Sequence, residues 1–148
     1  MKYKNLIVCA CLITAFMISG CRSNASESSV MSSEPIRITC EVFYRPGAGM
    51  ALEAAPEITF AGGNERQAVS YDSLSFEGVF QDDTYEGRAL SINITAPQKS
   101  SKITSQLYQF DSLNPPENQF IGGHGFTGLV YVFDPESSAE MQYFCSYR

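Results

Sequence analysis

Two cysteines set the frame within which this chain can fold. Cys40 lies in a stretch where Ile36, Ile38, Cys40, Val42 and Tyr44 alternate with Arg37, Thr39, Glu41 and Arg45. Cys145 lies in a second such stretch, where Ala139, Met141, Tyr143, Cys145 and Tyr147 share one parity. A period of two marks a half-buried strand, so each cysteine is expected on an inward face. In an oxidising compartment Cys40 and Cys145 are expected to pair, which would make the first and last strands face or neighbour each other. The alternative is two buried free thiols. A metal site is not expected, because the chain has one His and neither cysteine has another close by.

Between these ends the chain reads as further strands. Pro46-Gly47 and Gly49 close the first, and Met50–Ala55 fits a helical turn or a loop. Glu57–Phe60 is a short strand, and Gly62-Gly63-Asn64 a turn. Gln67–Phe80 is extended, with its period slipping near Ser73 and Gly78, as a bulge or a pair of shorter strands would cause. Asp82-Asp83 reads as a turn, and Arg88–Thr95 alternates again with Leu90, Ile92 and Ile94 on one face. Lys102–Phe110 sets Ile103 and Leu107 against Tyr108 and Phe110. Pro115-Pro116 rules out regular structure there, since proline removes a donor and fixes φ. Leu129–Phe133 is apolar on both parities, which predicts a central strand covered on both sides. Asp134-Pro135-Glu136-Ser137 fits a type I turn before the last strand. About seven strands without a long helix predict an all-β domain, an antiparallel β-sandwich closed by one disulfide, with a small β-barrel as the alternative.

The N-terminus is of another kind. Lys2 and Lys4 precede an uncharged run, Leu6–Ile18, too short for a spanning helix of about 20 apolar residues. A positive start, a short apolar centre and a small-residue end make a secretory signal peptide. Ile18-Ser19-Gly20-Cys21 also resembles the lipobox of bacterial lipoprotein precursors. The resemblance covers residues 1–21 and implies cleavage before Cys21, a thioether lipid on its sulfur and acylation (palmitate-type) of the new amino terminus. Several acyl chains hold a protein on a membrane durably. Arg22 in the next position implies the outer membrane, with the domain periplasm-facing. An ordinary signal peptide with Cys21 as a thiol, or an uncleaved anchor, is the other reading. Residues 21–34 are serine-rich and weakly patterned, as a flexible tether is. Residues 35–148 then form a single β-domain large enough to bury its own core.

Charge narrows the partners. Without residues 1–20 the chain keeps eight basic and sixteen acidic residues. Such a surface argues against nucleic acid or anionic lipid headgroups as partners, because both demand basic patches, and permits a basic protein. The acids are spread along the chain, as in a solubilising surface.

Catalytic chemistry has few places to reside. His124 is the single His, so any general base, triad or metal would have to use it, and no Gly-x-Ser-x-Gly elbow is present. Gly122-Gly123-His124-Gly125 precedes a strand, not the helix that a phosphate-cradling loop needs. This stretch is expected to be a flexible loop on which His124 and Phe126 could touch a partner. Asp82, Asp83 and Glu86 cluster in a presumed acidic turn whose spacing matches no calcium loop. Phe43, Phe110 and Phe144 fall on the more polar parity of their strands and suggest a second apolar layer or an exposed patch.

The chain therefore reads as a non-enzymatic, cofactor-free envelope lipoprotein, membrane-bound through its N-terminal lipid. Its β-domain is expected to bind another envelope protein or support an assembly. The alternative is an inhibitor or immunity protein against a cell-wall hydrolase. In general plan, with its anchor, acidic surface and a Cys near each end, the chain resembles the periplasmic lysozyme inhibitors, although their Ser-Gly inhibitory loop is not found here.

Overall fold

The alternating stretches at the two ends of the domain become neighbours. Strand β1 (Ile38–Arg45) pairs antiparallel with the last strand, β9 (Glu140–Tyr147), from Ile38↔Tyr147 to Arg45↔Glu140. Cys40 stands opposite Cys145 in that register, and the two are joined by a disulfide. The structure, a computed structural model, describes residues 36–83, 87–99, 101–111 and 116–148. The signal segment, Cys21 and the serine-rich stretch lie outside the described residues.

Nine strands among the described residues build two antiparallel sheets. In the first, β8 (Val130–Phe133) lies on β9, β9 on β1, and both β2 (Glu53–Ala54) and β3 (Ile58–Phe60) on the far edge of β1. The second is a meander of β4 (Glu65–Ser70), β5 (Ser75–Asp83), β6 (Gly87–Ala96) and β7 (Ser101–Phe110). The sheets pack face to face and do not close into a barrel, so the domain is a β-sandwich. Its core is the expected set of alternating residues. Ile38, Cys40, Val42, Met141 and Tyr143 from the first sheet meet Phe76, Phe80, Leu90, Ile92 and Ile94 from the second, all buried. The Phe76 and Tyr143 rings meet edge to face at 5.4 Å across the interior.

The sequence reading needs correction in several places. The extended stretch after the Gly62-Gly63 turn is the pair of shorter strands that the slip near Ser73 allowed, with the break at residues 71–74; the slip at its other position is not borne out. Gly78 marks no break: it lies inside β5 because the Phe60 ring covers it, and a Cβ there would come within 2.6 Å of that ring. Asp82 and Asp83 are the last residues of β5, not a turn, and face Arg88 and Gly87 of β6. Met50–Ala55 contains the two-residue strand β2. The turn after β8 is closed by Ser138 N–H donating to Asp134 O at 2.9 Å, one residue wider than a type I turn.

Two corrections concern which side chains water can reach. On β7 a register shift beside Ile94/Thr95 fixes the inward parity as Thr104, Gln106, Tyr108 and Phe110, leaving Leu107 exposed. Phe110 therefore faces inward and meets the Phe126 ring edge-on at 5.2 Å. Strand β8 is an edge strand, not a central one. Val132 is buried, but Tyr131 and Phe133 project outward and are 54% and 55% exposed.

Candidate functional site

The outward face of the first sheet is apolar where a solvated face is normally polar. The registers place Phe43, Gln142 and Tyr131 in one cross-strand row and Arg45, Glu140 and Phe133 in the next. Glu41 and Phe144 form the row before them. Phe43 and Phe144 stack with ring centroids 6.4 Å apart. His124 leans edge-on against Phe144 at 5.2 Å. The aromatic parity of β1 and β9 is thus a partly exposed layer, continued by Tyr131 and Phe133 on the edge strand.

Polar groups within this face are largely paired. Glu140 is buried although it points outward. It accepts from the Arg45 guanidinium across the strands and from the Gln142 amide along its own. The Arg45 Nε, also buried, has no hydrogen-bond partner among the described residues. Aromatic side chains flanked by a neutralised ion pair are what the centre of a protein interface requires: large apolar area and no uncompensated charge.

The glycine-rich loop separates the two residues singled out on it. His124 turns toward the outer face and half-buries against Phe144, whereas Phe126 turns inward against Tyr108 and Phe110. Phe126 also lines an open cleft beside β7 with Leu107, Pro116 and Glu117. The loop is pinned, not loose. The Asn118 side chain donates to Tyr147 O and accepts from Tyr147 N, both at 2.9 Å. Phe126 N–H donates to Cys145 O, and Cys145 N–H to the Thr127 hydroxyl. Gly125 has φ +63, and a Cβ on it would lie 2.0 Å from Cys145 O, so the approach needs glycine. What the loop presents to solvent is Phe120, 49% exposed, and Ile121, 98% exposed.

A second polar cluster sits at the end of the sandwich where β8 finishes. The Asp134 carboxylate accepts from the Ser137 hydroxyl at 2.6 Å, from Glu136 N–H at 3.2 Å and from Lys99 Nζ at 3.5 Å. These bonds, the Ser137 hydroxyl first, hold Asp134 below the usual carboxylate range. Lys99 also meets Glu136 at 2.7 Å, a hydrogen bond that raises its own affinity for the proton. In the interior, Gln106 Oε1 accepts from both Tyr108 and Tyr143 at 2.5 Å, and burial pushes the Tyr143 hydroxyl far above its ordinary value.

Of the other candidates, Asp82 accepts from Arg88 Nε at 2.7 Å, while Glu86 lies outside the described residues. Among the described residues no group of three or more His, Cys, Asp or Glu could hold a metal ion. Sequence reasoning missed Tyr131 and Phe133, although a signal existed. With β1 on one side of β9, the strand hairpinned to β9 takes its other side, where no further strand of the described residues pairs with it. Phe120 and Ile121 carried no such signal, since an isolated apolar pair in a loop is equally compatible with burial. No protein-family model, curated protein or solved structure matches this chain.

Proposed function

We propose that this chain is a lipid-anchored envelope protein whose β-domain binds another protein through the aromatic outer face of its first sheet. Cys21 carries the lipid in this reading, the outer membrane is the site of attachment, and the role is one of binding, not catalysis. The observation that supports it is the pair Tyr131 and Phe133, each about half exposed on an edge strand beside Phe43 and the Arg45–Glu140 pair. An exposed row of large rings is costly to leave in water and is the surface type that partners cover. The excess of acidic residues in the mature chain favours a basic partner by steering its approach.

The test is site-specific photocrosslinking in intact cells. A photoreactive phenylalanine analogue is placed at Phe133 and, as a control, at the exposed Arg66 on the second sheet. The reading expects a discrete protein adduct from position 133 and none from position 66. Equal labelling at both positions, or none, overturns it. Mass spectrometry of the native N-terminus tests the anchor separately, since an unmodified Cys21 sulfur removes the lipid from the scheme.

A further inference from the structure

We propose that the Phe120–Ile121 loop tip is a membrane-docking site that seats one end of the sandwich on the surface of a lipid bilayer. The proposal rests on the lipid-anchor reading above. It begins from a side chain in an unfavourable place: Ile121 is 98% exposed and Phe120 beside it 49%. The loop cannot easily withdraw them. Asn118 is fastened to Tyr147 on one side, and Phe126 and Thr127 to Cys145 on the other. Phe120 N–H donates to Gly125 O at 3.2 Å, closing the tip between these two clamps. The glycines at 122, 123, 125 and 128 all take positive φ, a backbone path open chiefly to glycine. The loop's two ends are thus held beside β9 while its apolar tip stays exposed.

Its position identifies the occupant. Tyr147 stands opposite Ile38 at the start of β1, and Arg148 N–H donates to Arg37 O. The loop therefore springs from the end at which the chain enters the sandwich. Ile121 lies three residues from Asn118, within about 11 Å even if fully extended. Ile36 is fifteen positions after Cys21, with fourteen residues between them, so an acylated Cys21 holds this end within about 54 Å of the lipid. The opposite end, where β1 finishes at Arg45, is farther by about the length of an eight-residue strand. Insertion of two side chains is weak alone, but a covalent leash turns it into an intramolecular event at high effective concentration. Charge near the tip is mixed, with Arg37 and Arg148 beside Glu57 and Glu117, so apolar insertion and not headgroup attraction carries the contact.

The chain has no Trp, which makes the test direct. Ile121→Trp adds a single fluorophore at the tip, and Met50→Trp adds one on the exposed loop at the opposite end. Each full-length protein, purified from membranes, is reconstituted into phosphatidylethanolamine–phosphatidylglycerol vesicles and floated. The expected result is co-flotation of both proteins. Emission from position 121 should shift to shorter wavelength and be quenched by brominated lipid, while position 50 stays at the solvent wavelength. Co-flotation with an unshifted, unquenched Trp at position 121 overturns the docking and leaves the anchor standing. Absence of flotation overturns the anchor and the docking with it. Shielding of position 121 in native membranes but not in vesicles assigns the tip to a protein and also overturns the proposal.

Discussion

Arg45 and Glu140 form an ion pair across the two terminal strands on the outward face of a sheet, yet the Glu140 side chain keeps 2% of its exposure and Arg45 34%. The pair lies on the outward parity, in the same cross-strand row as Phe133, and not in the core cluster between the sheets. Arg45→Met strands a buried carboxylate and should cost about 2–4 kcal/mol, toward the low end because the arginine is partly solvated. Arg45→Met combined with Glu140→Met removes both charges and should return most of that loss. Urea unfolding of the three variants reads the cycle.

The Cys40–Cys145 bond closes a loop spanning 105 residues. In the chain-entropy account such a cross-link contributes about 4–5 kcal/mol by restricting the unfolded chain. Denaturation with and without a reductant should show a loss of that order, and Cys40→Ala with Cys145→Ala should reproduce it.

Tyr44 is buried against Tyr71, with stacked rings 4.2 Å apart, and its hydroxyl has no hydrogen-bond partner among the described residues. Tyr44→Phe removes that oxygen and keeps the stack. The variant should match the parent or exceed it by up to about 1 kcal/mol in thermal unfolding. A marked loss of stability would show that the hydroxyl is satisfied.

Gly125 and Gly123 both take positive φ, but a Cβ on Gly125 would strike Cys145 O, whereas one on Gly123 meets nothing within 4 Å. Gly123→Ala should therefore cost about 1–2 kcal/mol from backbone strain alone. Gly125→Ala should cost clearly more, or release the loop from β9, which amide hydrogen exchange at Phe126 would report.

The Asp134 carboxylate is held below its ordinary range, first by the Ser137 hydroxyl and then by the Glu136 amide. A depressed folded-state value contributes stability that is present above the unfolded value and lost as pH falls through the folded one. Ser137→Ala should therefore be less stable than the parent near neutrality, with the charge-dependent part of the gap narrowing from about pH 5 downward. Paired melts across that range test the sign.

The sandwich was legible because its signals are local and repeated. Alternation at Ile38–Tyr44 and Met141–Cys145 identified both inward faces, and the two cysteines on them gave the long-range pairing that periodicity cannot supply. Errors arose where facing depended on neighbours in space. Apolar residues on both sides of Leu129–Phe133 read as coverage, but nothing among the described residues covers the outer side of the edge strand. On β7 a one-residue irregularity beside Ile94/Thr95 decided which of Leu107 and Tyr108 turned inward, and it leaves no trace in composition. His124 and Phe126 were rightly placed on a loop, but two residues of spacing said nothing about their turning to opposite sides.

The pairing of β1 with β9 also sets a timetable. The meander from β4 to β7 joins strands adjacent in sequence and can assemble as soon as it is made. β1, by contrast, finds its full-length neighbour only once the final eight-residue strand has been delivered. A nascent chain must therefore hold one side of β1 open until β9 has been made, and a chain cut before β9 would leave that side unpaired and Cys40 without its disulfide partner.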